Sequence, residues 1–362
     1  MSAFFEPAPP SSTRLPTMKI LVTGTEGYIG ARLAPWLRAH GHEVHGLDTG
    51  FYRDGCLYLD PVGLPFGPQT TYKDLRTVTA KDFEGFDTVI HLAELSNDPL
   101  GQNRPEITFK INHEGSVRIA KTAREAGVRR LVYASSCSVY GVGTGDFLDE
   151  TSPVNPQTAY AHCKVMVERD LLPMADDRFS VVFLRNATAY GPSPRMRFDI
   201  VLNDLSALAW IRKKIAMVSD GSPWRPIVHI EDICEAMRCA AEAPADAING
   251  QVFNVGASSE NYRIREIAQI VSQAFPGCDV TAGPPSQDNR SYRVSFDKIA
   301  ARLPGYKARW TAQQGAEELR RLFERIEFSQ DTYEYRAFTR LKQLKYLQRT
   351  GQIDDDLFWS AR

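Results

Sequence analysis

The amino-acid sequence predicts an α/β protein built on a doubly wound parallel sheet, with a smaller α/β lobe that is discontinuous along the chain. Three observations carry this. From Met18 onward, short β-branched runs alternate with amphipathic stretches, the rhythm of successive βαβ units. A glycine pattern sits directly between the first such run and the first helical stretch. The alternation then fails after Arg185, where the Pro-, Arg- and Gly-bearing stretch YGPSPRMRF intervenes. A chain of 362 residues is long for one compact domain and short for three, which suits one large unit carrying a lobe.

Taken in order, KILVT reads as the first strand and a helix opens near Tyr28; Pro35 should kink that helix and Gly41 should stop it. EVHGLD and DTVIHLA read as further strands, followed by a long helix over residues 105–126. RLVYASS, a helix over residues 159–172 and FSVVFLR complete a first domain spanning residues 18–187. The lobe is assigned residues 188–225 and 259–310, with an apolar helix over 200–211 and another over 263–274. Residues 226–230 and 251–255 read as strands returning to the main sheet within 226–258. Residues 311–362 form a helical C-terminal extension. Its segments LRRLFERI and FTRLKQLKYLQRTG have basic faces, read as a packed or oligomer-contacting tail, with an anion-binding surface as the alternative. Residues 1–17 read as a flexible leader, since they hold no apolar run long enough for a signal peptide or a membrane span.

The 43 Lys and Arg residues nearly cancel the 44 Asp and Glu residues, so no overall field draws the protein to nucleic acid or to an anionic membrane. An anionic substrate must be held by a few placed cations. Six cysteines occur without a CxxC pair, a usage that fits a reducing, cytoplasmic setting. His40, His42 and His45 cluster in AHGHEVHG, but no Cys or carboxylate set completes a coordination shell, so no metal is expected.

KILVTGTEGYIG places Gly24, Gly27 and Gly30, with Tyr28 and Ile29 between them, after a strand and at a helix start. Glycines there let the backbone approach a pyrophosphate, whose charge meets the free N–H groups of the helix N-terminus. Tight helix–strand packing is the alternative for the glycines alone. About twenty residues on, strand two ends at Asp48, where a carboxylate can accept from both hydroxyls of an adenosine ribose and would repel a 2′-phosphate. This favours NAD over NADP, with Arg53 nearby as the one feature that argues against it.

RLVYASSCSVYG brings Ser135 and Ser136 to the carboxyl end of a strand, the edge at which open α/β sheets hold ligands. TAYAHCK then begins a helix with Tyr160 and Lys164 four residues apart, on one face. A phenol titrates near 10 in water and needs a cation to serve as a base at neutral pH. One ammonium at roughly 6 Å in an effective dielectric of about 20 supplies about two pK units. The trio Ser136, Tyr160 and Lys164 therefore points to oxidation or reduction of a hydroxyl-bearing carbon, with Ser136 orienting the reacting oxygen.

In this order, TGTEGYIG, Asp48, KDLR, HLA, SSCSVYG and YAHCK resemble the extended short-chain dehydrogenases/reductases of the NAD-dependent epimerase/dehydratase family, over residues 18–303. The resemblance implies a Rossmann sheet and NAD, with Asp74 and Leu75 beside the adenine, Ala93 beside the phosphates or ribose, Asn112 supporting the active site and Lys164 on the nicotinamide ribose. It also implies a nucleotide-diphosphate sugar as substrate, its diphosphate held by Arg225 in WRPIVHIEDI and by Arg290 in DNRSYRVS, with Arg293 as the register alternative. Cys137 and Ser138 stand where sugar 4,6-dehydratases have Asp-Glu, so dehydration by that route is not expected. Glu94, in HLAEL, stands where relatives often have a small residue; it could bind a sugar hydroxyl, move a proton or point away. Thr188 replaces a frequent Asn, so that substrate contact does not carry over.

The reaction expected is epimerisation of a nucleotide sugar through transient oxidation of a ring hydroxyl, at carbon 4, with NAD retained. The alternatives are a 4-keto-deoxysugar reductase using NAD(P)H and a non-catalytic NAD-binding protein. A homodimer is the expected assembly.

Overall fold

The computed structural model describes residues 17–59, 67–96, 104–285 and 290–360. Residues 1–16 of the leader lie outside the described residues. Seven strands make the main sheet: β1 (Lys19–Thr23), β2 (Glu43–Asp48), β3 (Thr70–Tyr72), β4 (Thr88–His91), β5 (Arg130–Ser136), β6 (Ser180–Asn186) and β7 (Gln251–Val255). Their order is β3-β2-β1-β4-β5-β6-β7, with every pairing parallel. The direction of winding reverses between β1 and β4, which opens a crevice at the carboxyl ends of those strands.

The strand sequences are continuous apolar runs because both faces of the sheet are covered. Ile20, Val22, Ile90, Val132, Val182 and Leu184 enter one core layer, and Leu21, Val89, Leu131, Tyr133, Val181 and Phe183 enter the other. Neighbours along each strand therefore point to opposite sides, at period two. Helix α1 (Gly30–Ala39) closes the first layer, and α2 (Ser116–Glu125) and α3 (Ala159–Leu171) close the second. α1 continues through Pro35, and Gly41 ends the turn behind it at φ +91°. The long helix expected over 105–126 carries an irregularity in its middle. Pro105–Thr108 is α-helical, Phe109–Gly115 is a wide π segment, and α2 follows. π segments inside helices are commonly kept for function.

The lobe holds α4 (Val201–Arg212), α6 (Ile264–Ala274) and α7 (Ala312–Arg325), packed through Leu202, Leu205, Ile267, Val271, Leu319 and Phe323. α5 (Ile230–Glu242) belongs instead to the first sheet layer, through Ile233 and Met237. One strand expectation is corrected. The segment around 226–230 does not rejoin the main sheet: Trp224–His229 pairs with Thr188–Tyr190 and Asn261–Arg263 in a separate three-stranded sheet. Its partner there is Thr188–Tyr190, which follows β6 by two residues and draws the segment away from the main sheet, while β7 takes the outer edge of β6 from Val182 to Asn186.

The C-terminal extension divides. α7 joins the lobe core, whereas α8 (Arg340–Arg349) and the turns after it pack beside Leu47 and Leu75 through Leu344, Leu347, Ile353 and Leu357. Among the described residues no helix is long and apolar enough to cross a membrane.

Candidate active site

A cleft of about 600 Å³ runs along the carboxyl ends of the strands, lined by the glycine loop, Asp48, Asp74, Leu75, Ala93, Glu94, Ser136, Tyr160, Lys164 and Arg290. At its floor, backbones approach too closely for side chains. Gly24 sits at φ +81°, and a Cβ there would stand 3.0 Å from the Ala93 nitrogen; a Cβ on Gly30 would stand 2.1 Å from the Gly24 carbonyl oxygen. The loop is thus a cradle that only glycine permits, open to a diphosphate. Tyr28 and Ile29 line it as well. The Tyr28 hydroxyl donates to the Gly191 carbonyl at 2.6 Å, which ties the loop to the chain entering the lobe; burial there holds its pKa above the usual phenol range.

Asp48 ends β2 with its carboxylate accepting from the Gly50 N–H at 2.7 Å and the Glu26 N–H at 2.9 Å. Burial pushes its pKa up and those two N–H donors act against that. Asp74 accepts from the backbone N–H of Arg76 at 2.8 Å and pairs with its guanidinium at 2.7 Å, capping the short turn Leu75–Thr77 that presents Leu75 to the cleft. These residues fit a dinucleotide, with Asp48 placed for its ribose and the glycine cradle for its phosphates.

Thr158 caps α3, accepting from the Ala161 N–H at 3.2 Å, and so sets where the helix begins. Tyr160 and Lys164 follow one turn apart, with the ammonium 5.3 Å from the Tyr160 ring centre. The ammonium donates to the Ala134 carbonyl and lies 2.8 Å from Oε2 of Glu94; the two side chains are only 4% and 3% exposed. Burial works to strip the Lys164 proton, but Glu94 and Tyr160 outweigh it and hold its pKa above the ordinary lysine value. Ser136 stands at the end of β5 in the same cleft, its Oγ accepting from the Ser138 N–H at 3.1 Å. Sequence left Glu94 open between a sugar hydroxyl, proton transfer and an outward orientation. Its carboxylate is directed inward: Oε1 accepts from the Tyr133 hydroxyl at 2.6 Å while Oε2 faces Lys164.

Beneath this trio lies a buried polar network that the sequence reading did not find. Ser135 donates to Glu168 at 2.5 Å, Glu168 pairs with Arg185 at 2.7 Å, and Arg185 donates to the Tyr140 hydroxyl at 3.0 Å. Removing one partner of such a buried pair costs about 3–5 kcal/mol. Asn112, at the centre of the π segment, accepts from the Leu95 N–H at 2.8 Å and donates to its carbonyl at 3.0 Å, fixing the chain just beyond Glu94. His91 bridges Thr23 at 2.6 Å and Ser116 at 2.8 Å, and burial pushes its pKa down to about 3.

On the lobe side, Arg290 lines the cleft. Arg225 does not line it; its guanidinium donates to the Arg290 carbonyl and bears on Tyr292. Arg293 turns to the Gly145 carbonyl and lies over the Phe147 ring at 4.6 Å, which leaves Arg290 as the arginine of that segment at the cleft. Thr188 lines the cleft, joined by Asn186, Arg197, Asp199 and Arg340, none of them expected from sequence. Arg197 grips Asp199 at 2.8 Å. The one sequence signal is for Arg197, in the Arg-bearing YGPSPRMRF at the lobe boundary. His40, His42 and His45 part ways, to the Trp36 carbonyl, Glu242 and Glu43.

Fold and site together define a dinucleotide-dependent enzyme of the extended short-chain dehydrogenase/reductase type. The chain belongs to the NAD-dependent epimerase/dehydratase family, whose model matches residues 20–256. A UDP-glucose 4-epimerase of Mycolicibacterium smegmatis is 30% identical over 79% of this chain and 91% of its own length. A UDP-N-acetyl-alpha-D-glucosaminuronate decarboxylase of Bacillus cytotoxicus is 25% identical over 79% of this chain and 88% of its own. Among solved structures, MoeE5 in complex with UDP-glucose and NAD is 26% identical with a TM-score of 0.70, covering 85% of this chain and 99% of that one. The protein is therefore an NAD-dependent enzyme that modifies nucleotide sugars.

Proposed function

We propose that this enzyme epimerises a nucleotide-diphosphate sugar at carbon 4, through transient oxidation of the ring hydroxyl. The observation that carries this reading is the convergence of Ser136, Tyr160 and Lys164 on the dinucleotide cleft, beside Cys137 and Ser138 where elimination of water would need an acid and a base. Cys137 is buried, its thiol on the Arg185 carbonyl at 3.1 Å and its pKa pushed well up by burial, so it supplies neither.

In the forward step the Tyr160 phenolate takes the proton of the sugar hydroxyl. Ser136 hydrogen-bonds the same oxygen and fixes its direction. Lys164 keeps a positive charge one turn away, which favours the deprotonated phenol. Bound NAD supplies the hydride acceptor for this step and the donor for its reversal. The keto sugar turns in the cleft before Tyr160 returns its proton to the oxygen, so the hydroxyl is rebuilt with the opposite configuration. Arg290, its backbone braced by Arg225, offers a guanidinium to the substrate diphosphate.

The test incubates the purified protein with a panel of UDP- and dTDP-hexoses, following product configuration by NMR and nicotinamide absorbance together. Epimer formation at constant absorbance is expected. Stoichiometric consumption of NADH or NADPH on a keto sugar would replace this reading with the reductase, and NAD binding without turnover on any sugar would favour the non-catalytic one.

A further inference from the structure

The C-terminal segment lies beyond residue 256, where the family match ends, and yet it reaches the cofactor cleft. The loops it grips are those that carry the adenosine-side residues. Gln343, fully buried, donates to the Phe51 carbonyl at 2.9 Å, and the Trp359 indole donates to the Thr49 carbonyl at 2.7 Å, both on the loop after Asp48. Arg76, beside Asp74 and Leu75, donates to the Asp356 carbonyl at 2.8 Å and stacks on Phe358 at 3.7 Å.

Arg340, the first residue of α8, lines the cleft itself and is 3% exposed. Among the described residues its guanidinium makes one hydrogen bond, to the Arg195 carbonyl at 3.2 Å, and it lies 4.1 Å from the Tyr52 ring centre. A guanidinium carries several donors, and in a cleft narrow enough to limit water a cation with few protein partners favours an anion beside it. The acids whose charge it feels are already committed, Asp48 to two backbone N–H groups and Asp199 to Arg197. Arg197 sits beside it as a like charge, and together with burial pushes the Arg340 pKa down to about 10.

Position says which anion would relieve this strain of charge. Arg340 lies over Tyr52, on the loop after Asp48 at the adenosine end of the cleft, while Arg197 donates to the Ser96 hydroxyl at 3.2 Å, two residues beyond Glu94 at the reacting end. The pair therefore spans the middle, where a dinucleotide carries its diphosphate. We infer that Arg340 is a cofactor-binding residue that, with Arg197, takes the diphosphate of NAD, and that the segment around it clamps the adenosine-side loops over the bound cofactor. The inference rests on the dinucleotide site alone and holds for either sugar chemistry.

The experiment titrates protein freed of bound nucleotide, as wild type and as Arg340→Met, with NAD, ADP-ribose, adenosine, NADP and UDP by calorimetry. The variant is expected to bind NAD and ADP-ribose roughly ten- to a hundredfold more weakly, with adenosine and UDP unchanged. Arg340→Lys is expected to recover part of the loss. A loss confined to UDP would move the cation to the substrate side, and a loss confined to NADP would place it at a ribose 2′-phosphate; either overturns the inference. Methionine fills the volume without the charge, so the melting temperature without nucleotide is expected to stay level or rise, while the increase on adding NAD shrinks. A lower melting temperature with unchanged NAD affinity would show a purely structural cation and overturn the inference as well. None of these readouts uses turnover, so the failure of one proposal leaves the other standing.

Discussion

The cofactor half of the cleft and its lobe half are assembled from the chain in different ways. Gly24, Asp48, Ala93, Ser136 and Tyr160 follow one another in sequence, and each but the last stands in or just beyond the carboxyl end of β1, β2, β4 or β5 in turn. Thr188, Arg197, Asp199, Arg290 and Arg340 come from a short strand, a connecting loop, a strand margin and a C-terminal helix, and meet only because the lobe and the tail fold back. The first half carries its placement in local rules of strand, turn and helix start. The second depends on packing between segments far apart, and it is there that Arg197, Arg290 and Arg340 gather at the cleft.

The sharpest break between the halves comes at Tyr160. Tyr160→Phe removes the proposed proton acceptor and leaves the cradle intact, so turnover is expected to fall by about 10²–10⁴ with NAD affinity unchanged, as read from single-turnover kinetics and a cofactor titration. A proportional loss of NAD affinity would show that the halves are not separable there. Across the cleft, Arg290→Ala is expected to raise KM for the nucleotide sugar roughly tenfold or more with kcat nearly kept, because the proposed charge-assisted contact to the diphosphate is the same in ground and transition states.

A third measurement concerns the floor of the cofactor half. The folded-state pKa of His91 lies near 3, below the value near 6.5 of an unfolded histidine. The unfolded chain then binds the extra proton, so the stabilisation from this neutral ring is present above about pH 6.5 and drains as pH falls toward 3. Wild-type unfolding free energy is expected to drop ~1.4 kcal/mol per pH unit more steeply between pH 6 and 5 than that of His91→Asn, by urea titration at each pH. Equal slopes would contradict the buried neutral ring.

The smallest expected effect tests Glu94. Lys164, Glu94, Tyr133 and Arg197 bear on Tyr160 or on its lysine. Glu94→Gln removes the one anion among them, so the acid limb of the kcat/KM profile is expected to move about one pH unit lower. A shift to higher pH would mean that the carboxylate serves the reaction in another way.

Much of this was legible in the residues. The β-branched alternation gave every strand of the main sheet except the short β3, and the glycine loop, Asp48, Ser136, Tyr160 and Lys164 all line one cleft. Such features are set within a few residues of chain, where backbone geometry and period decide the outcome. The strand at Trp224–His229 was misplaced because strand character does not reveal which edge is free. The network of Ser135, Glu168 and Arg185, the inward turn of Glu94 and the reach of Arg340 were hidden for a related reason. Each is a pairing of charges across elements, and sequence fixes the charge but not the partner. The sequence by itself determined the sheet, the cradle and the grouping of Ser136, Tyr160 and Lys164 at one strand edge, since these follow from local sterics and strand order. Only the tertiary structure decided which buried charges meet, because that depends on how the lobe and the C-terminal segment close on the sheet and how far they exclude water.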